Sequence, residues 1–244
     1  MTPADPIDPR PDAELAVLLS DVEGEPELGD PDALFREVRM GMERSDGNAV
    51  GWLRSRSTPV RRTIALSAFL AVAAFGLLSL RPDIDSYPVP RMIASLVALA
   101  VLLILSLHHA IRPLHEPALG RGTLAALTAV ALGATFVIAA VPISSRVDPL
   151  LHGSWIAGVV PCLMFGVLVG LPVYVVARLV DRGSVLGGVL AACAAGLTAN
   201  FVLQLHCPMS APSHDLLGHF GAAVIFVGAA LIVTLIERQL RSVR

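Results

Sequence analysis

The chain has 244 residues, of which 55% are hydrophobic and only 16% are charged, and its mean hydropathy is +0.70. In soluble globular domains about a quarter of all residues are charged, so this composition excludes an ordinary soluble domain. The net charge of −2 conceals an asymmetry, because residues 1–50 hold most of the 20 acidic residues and the rest of the chain is basic. Three cysteines are too few for a disulfide-rich secreted scaffold.

The acidic N-terminal segment, residues 1–55, opens with a Pro-rich stretch that we expect to be extended and disordered. Two short amphipathic helices are predicted after it, one capped by Asp12 and one that starts at Asp30-Pro31. Helices this short do not fold alone, so the segment is either a solvated tail or a partner-binding surface that orders on contact. In the second interpretation the partner contacts the apolar side chains of the two helices: Leu15, Leu18, Leu19, Leu34, Phe35 and Val38.

The second region, residues 56–244, holds six long apolar segments, each close to the length that crosses about 30 Å of hydrocarbon. None has the regular polar face of a helix in a water-soluble bundle. The predicted fold class is therefore all-α: a polytopic membrane bundle of six transmembrane helices behind a short, partly disordered cytosolic N-terminal segment. The predicted spans are Thr63–Leu80, Met92–Leu107, Thr123–Val141, Ile156–Ala177, Val185–Leu203 and Leu216–Ile236.

The distribution of arginine predicts the orientation of these spans. Eleven arginines flank the segment ends on one side, against three on the other, which are Arg81, Arg91 and Arg146. Because cytoplasmic loops carry the excess of positive charge, both termini are predicted to be cytoplasmic. The loop around Cys207 is then predicted to face outward.

Two of the three cysteines are expected to lie close enough to meet near the outer surface. Cys207 is in the last outer loop, and Cys162 lies about 9 Å below the outer end of the fourth span. Cys193 lies about 15 Å deep in the fifth span and is interpreted as a small core residue. Three interpretations of the Cys162/Cys207 pair stay open: a structural disulfide, redox-sensing thiols, or buried thiols without a role. In the sensing interpretation the stimulus acts on Cys162, His206 and Cys207.

Histidines near Cys207 offer a further interpretation, a site for Zn or Cu. The metal-ligand candidates are His206, Cys207, His214 and His219. Their spacing matches no zinc-finger or protease motif, and a loop histidine is usually just solvated, so no metal or other cofactor is expected. Asn200 is expected to make an interhelical hydrogen bond rather than to act in catalysis.

Catalytic motifs of intramembrane proteases, hydrolases and phosphate-binding enzymes are missing from the sequence, and no span carries an acid or base near its centre. We therefore expect no enzymatic activity and disfavour an ion-coupled transporter. Two alternatives stay open: a permease or channel subunit for a small neutral solute or metal, and an enzyme of lipid or redox metabolism built on Cys207 and His206.

A moderately specific pattern runs through residues 155–236. It consists of a fourth span with Pro161-Cys162, Gly166 and Pro172, a Gly/Ala-rich fifth span, and Leu205-His206-Cys207-Pro208 with Ser210 before the sixth. This pattern resembles the NrsF-like family of six-helix bacterial membrane anti-sigma factors. The chain departs from the family at His219-Phe220, where many members carry an aromatic pair. The zinc-binding His-x-x-x-Cys-x-x-Cys signature of soluble anti-sigma factors is also missing from residues 1–60.

The resemblance implies a function for both regions. Residues 1–55 would hold an ECF-type sigma factor at the bacterial inner membrane, and an envelope, redox or metal stimulus at the outer Cys/His residues would release it. The implied partners are the sigma factor and the lipid bilayer, with no direct nucleic acid binding. The implied process is signal transduction in transcription regulation under stress.

Overall fold

The computed structural model describes residues 48–242, apart from 87, 114–115, 117–118, 142–154, 183–184 and 210. Residues 49–244 belong to one compact unit. The six apolar residues predicted to bind a sigma factor, from Leu15 to Val38, lie outside the described residues.

All the regular structure in the described ranges is helical. The helices are α1 (Ala49–Ser55), α2 (Thr58–Leu78), α3 (Val89–Ala110), α4 (Arg121–Ala140), α5 (Trp155–Val180), α6 (Val185–His206) and α7 (Gly221–Ser242). A 3-10 turn, Ile84–Ser86, lies between α2 and α3. A single helical turn, Pro212–His214, and a π-helical segment, Asp215–Phe220, lead into α7.

Six helices of the described chain are long and apolar enough to cross a membrane, which confirms the predicted all-α bundle of six spans. The boundaries differ in detail. The first span begins at Thr58 rather than Thr63, because Pro59 in the first turn needs no hydrogen-bond acceptor and has the φ of a helix. The last span was expected to begin as an α-helix at Leu216, but its first turns form the π-helical segment.

The fifth span, α6, is the central helix of the bundle. In its most apolar stretch 89% of the residues are buried, compared with 39% or less in each of the other five spans. It contacts α2, α3, α4, α5 and α7. Five neighbours fit around one helix because its side chains are small: the buried residues of α6 include Ala191, Ala192, Ala194, Ala195 and Ala199.

Two glycines allow the closest helix contacts. A Cβ on Gly196 of α6 would lie 2.7 Å from the Cα of Ala223 in α7. A Cβ on Gly170 of α5 would lie 2.7 Å from the carbonyl oxygen of Ala195 and 2.6 Å from the ring of Phe226. Both distances are shorter than real Cβ contacts, so α5, α6 and α7 approach one another as only small residues permit.

Arginines from the first two helices cap the C-terminal ends of α3 and α5. The buried guanidinium of Arg61 donates to the carbonyl oxygens of Val180 and Arg112, at 3.0 and 3.1 Å. Arg54 of α1 donates to the carbonyl oxygen of Leu179 at 3.2 Å. The last carbonyls of a helix lack partners within the helix and carry partial negative charge, which a cation satisfies. We call this side of the bundle the arginine end.

Candidate functional site

Four thiol and imidazole side chains meet at the opposite end of the bundle. Cys162 comes from α5, Cys207 from the residue after α6, and His214 and His219 from the turns that lead into α7. One ligand atom from each residue lies within 4.8 Å of the others. Cys207, His214 and His219 are buried, and Cys162 is half-buried. We call these four residues the Cys2His2 cluster.

The two thiols are in contact. Both are free cysteines, and the Sγ atoms of Cys162 and Cys207 lie 3.3 Å apart. The Sγ of Cys207 also lies 3.2 Å from Nε2 of His214. The hydrogen bond with Cys162, followed by burial, raises the pKa of the Cys207 thiol. A raised pKa lowers the fraction of Cys207 present as thiolate, which is the reactive form of a cysteine.

The π-helical segment explains how two histidines five residues apart reach one site. In an α-helix, residues five apart point about 140° away from each other. In a π-helix, hydrogen bonds run between residues five apart and bring them to the same side. The rings of His214 and His219 lie 5.5 Å apart between centroids, at 77° to each other.

Polar atoms in the cluster lack partners although they are buried. Among the described residues, Nδ1 of His214 and both ring nitrogens of His219 have no hydrogen-bond partner. The nearest carboxylate is that of Asp215, whose Oδ1 lies 3.7 Å from Nδ1 of His219. Buried polar groups nearly always have a partner, so these three unpartnered ring nitrogens are unusual.

His206 lies outside the cluster. Its Nδ1 lies 2.8 Å from the carbonyl oxygen of Ser79, the residue after α2. Its ring lies against the ring of Phe165, and the two ring centroids are 4.8 Å apart. The sequence analysis named His206 both as a metal ligand and as a stimulus-sensing residue. The structure does not bring it together with His214 and His219, because it belongs to the last turn of α6 and points toward α2.

The connection between α2 and α3 holds the Cys207 loop in place. The Arg81 side chain, which is 2% exposed, donates to both carboxylate oxygens of Asp83 at 2.6 and 2.7 Å and to the carbonyl oxygen of Pro208 at 3.2 Å. The backbone N–H of Arg81 donates to the carbonyl oxygen of Leu205 at 2.7 Å. This arrangement fixes the backbone on both sides of Cys207.

Asn200 of α6 fixes the other side of the cluster. Its Nδ2 donates to the carbonyl oxygens of Gly196 at 2.9 Å and of His219 at 3.1 Å. The second bond is the interhelical hydrogen bond expected from the sequence. The contact between Asp215 and His219 was not predicted, although their spacing of four residues places side chains on the same face of a helix.

No protein-family model matches the chain, and neither a curated protein nor a solved structure matches it.

Proposed function

We propose that this membrane protein is an anti-sigma factor that holds an ECF-type sigma factor at the bacterial inner membrane. It releases the sigma factor when the thiols of the Cys2His2 cluster are oxidised or when the cluster binds an ion. The acidic N-terminal segment is the partner-binding region, both termini are cytoplasmic, and the chain neither catalyses a reaction nor binds nucleic acid directly. The NrsF-like resemblance of residues 155–236 supports the assignment to this class.

The observation that carries the proposal is that α5 links the cluster to α1, the helix at the C-terminal end of the N-terminal segment. Near one end of α5, Cys162 contacts Cys207. At the other end, the carbonyl oxygen of Leu179 accepts a hydrogen bond from Arg54 of α1. Seventeen helical residues separate these two positions, which corresponds to about 26 Å.

A change at the cluster can therefore act on α1 by moving α5, in which Pro172 lies between the two positions and is a site where the helix can bend. Oxidation of the two thiols or binding of an ion changes the distance between Cys162 and Cys207, and α6 is held by five neighbours, so α5 is the element that adjusts. A shift or rotation of α5 displaces the carbonyls to which Arg54 and Arg61 donate. The two predicted partner-binding helices precede α1 in the same segment and would be presented differently to their partner.

The proposal predicts that the full chain binds an ECF-type sigma factor through the predicted helix that starts at Pro31. Leu34, Phe35 and Val38 lie on one face of that helix, so Phe35→Asp places a charge in the apolar contact. We expect Phe35→Asp to reduce co-purification of the sigma factor with the detergent-solubilised chain at least about tenfold, since a buried unpaired charge in an interface costs several kcal/mol.

Met40→Asp is the matched control. It introduces the same charge about 140° around the predicted helix from Phe35, on the face opposite the apolar residues, and should leave binding unchanged. Membrane insertion of both variants is checked by fractionation. If the intact wild-type chain retains no ECF-type sigma factor encoded by its own genome, the proposed function is wrong. Uptake of metal into vesicles that contain the purified chain would instead favour the permease alternative.

A further inference from the structure

We infer that Cys162, Cys207, His214 and His219 form a tetrahedral binding site for one Zn²⁺ ion. From the sequence no metal was expected, and the candidate ligands included His206 and lacked Cys162. The inference rests on the geometry of the four side chains and does not depend on what the N-terminal segment binds.

The distances between the donor atoms fit a tetrahedral zinc site after small adjustments. Zn–S bonds of about 2.3 Å and Zn–N bonds of about 2.0–2.1 Å give tetrahedron edges of about 3.3–3.8 Å. The Sγ atoms of Cys162 and Cys207 are 3.3 Å apart, Cys207 Sγ is 3.2 Å from His214 Nε2, and the whole set lies within 4.8 Å. The two sulfurs must separate by about half an ångström, and the most distant donors must approach each other by up to about 1.5 Å, to bind one ion.

The unpartnered nitrogens are the second observation. His219 is 2% exposed, and neither of its ring nitrogens has a hydrogen-bond partner within the part of the chain that the structure describes. Burying a polar nitrogen without a partner destabilises the fold. A cation bound to one nitrogen of each ring, together with both sulfurs, supplies the missing interaction.

Charge balance favours Zn²⁺ over Cu⁺. On binding, each thiol loses its proton to solvent, so two protons leave and no electron is transferred. Two thiolates then neutralise a divalent ion, whereas a monovalent ion leaves one negative charge in a buried site next to Asp215, which is 5% exposed. Uncompensated buried charge is strongly unfavourable.

Two groups around His219 are placed to orient it as a metal ligand. The Asp215 carboxylate lies 3.7 Å from Nδ1 of His219, which is the side of the ring opposite Nε2. A carboxylate that accepts the free N–H of a metal-bound histidine fixes the ring and strengthens the ligand. Asn200 holds the backbone of His219 through the carbonyl oxygen at 3.1 Å. Asp215 and Asn200 are therefore positioning residues for this site.

The test uses the full-length chain purified anaerobically in detergent, stripped with a chelator and then titrated separately with Zn²⁺ and with Cu⁺. We expect one Zn²⁺ per chain by elemental analysis and, after Co²⁺ substitution, the visible absorption of a tetrahedral site with thiolate ligands. Cys207→Ser and His219→Asn should each lose the stoichiometric ion. Asp215→Asn should keep it with affinity lowered about 10- to 100-fold.

Two controls match these variants in chemistry and position. Cys193→Ser removes a buried thiol whose Sγ lies 3.9 Å from Thr128 Oγ1, away from the cluster. His206→Asn removes the imidazole next to Cys207 that contacts Ser79 instead. Both should keep the ion. Because a ligand variant can fail to fold, the wild type is also tested by alkylation: Zn²⁺ should protect two of the three thiols, and chelation should expose them.

The inference is overturned if the folded, reduced wild type binds no Zn²⁺, if it binds Cu⁺ in its place, or if His219→Asn keeps the ion with unchanged affinity. Sigma-factor retention is measured on the same preparations before and after chelation. A chain that binds zinc but no sigma factor refutes the proposed function alone, and a chain that binds the sigma factor but no zinc refutes the metal site alone.

Discussion

Arg81 shows how a single charged side chain can organise a loop at the membrane surface. It is buried, forms a two-pronged ion pair with Asp83 and bonds to the backbone of the Cys207 loop on both sides. The planar guanidinium can donate to both oxygens of a carboxylate and to a carbonyl oxygen at once, whereas the ammonium of Lys does not match the two-pronged carboxylate geometry. Counting arginines along the sequence treats Arg81 only as a marker of orientation.

The Arg81–Asp83 pair makes the loop sensitive to acid. Hydrogen bonding by the Arg81 guanidinium holds the pKa of Asp83 below its ordinary value of 3.8. A lowered folded-state pKa means that the ion pair stabilises the fold fully above that ordinary value and is lost as the pH falls through the folded-state pKa. At neutral pH we expect Asp83→Asn to lower the free energy of unfolding by about 1 kcal/mol, since the pair is partly exposed.

Thermal unfolding of the two proteins in detergent as a function of pH measures this effect. The difference between wild type and Asp83→Asn should be constant at neutral pH and shrink toward zero in strong acid. Asp85→Asn is the control, because Asp85 is exposed on the same turn. A wild-type advantage that grows as the pH falls would contradict the role assigned to the pair.

The π-helical segment is the element that the sequence did not indicate. The membrane-spanning helices could be predicted from the sequence, because an uninterrupted apolar segment of sufficient length is recognised by its hydropathy alone. The approach of Cys162 to Cys207 also followed from their depths in neighbouring spans. The π-helix does not follow from composition, because it depends on contacts such as the bond from Asn200 to His219, made only after the helices pack.

Helix packing around α6 depends on Gly196. Because a Cβ at this position would lie only 2.7 Å from the Cα of Ala223, a side chain here must push α6 and α7 apart. We expect Gly196→Leu to lower the free energy of unfolding by about 1–3 kcal/mol or more through overpacking. The loss should appear as a lower melting temperature in detergent.

Gly228→Ala is the matched control for this effect. It adds a methyl group to α7 at a position where no atom of another helix lies within 4 Å, so it should be neutral or slightly stabilising through helix propensity. Equal melting temperatures for Gly196→Leu and the wild type would show that α6 and α7 are not in the close contact described.

If the six apolar helices all cross the membrane, both termini lie on the same side, and we predict from the arginine count that this side is the cytoplasm. Alkaline phosphatase needs an oxidising compartment for its disulfides, so it reports the location of each loop. A phosphatase fusion after Asp85 should be active, and fusions after Arg112 and at the C-terminus should be inactive. The reverse pattern would put the Cys2His2 cluster in the reducing cytoplasm.

The sequence predicted the number and type of spans but only part of the site. Cys207, His214 and His219 were recognised as possible ligands because of their residue types. His206 was included and Cys162 omitted because the direction of a side chain at a helix end depends on its neighbours, here Ser79 and Phe165 for His206. Spacing along the chain carries no information about those contacts.

The origin of the cluster residues has a consequence for biogenesis. Cys162 belongs to the fourth span, Cys207 follows the fifth, and His214 and His219 begin the sixth. During synthesis the four side chains therefore cannot meet until the start of the sixth span has been synthesised. Until α7 has been synthesised, the face of α6 that contains Gly196 cannot pack against it. The cluster thus cannot form before His219 has been synthesised, and products truncated before His214 lack both of its histidines.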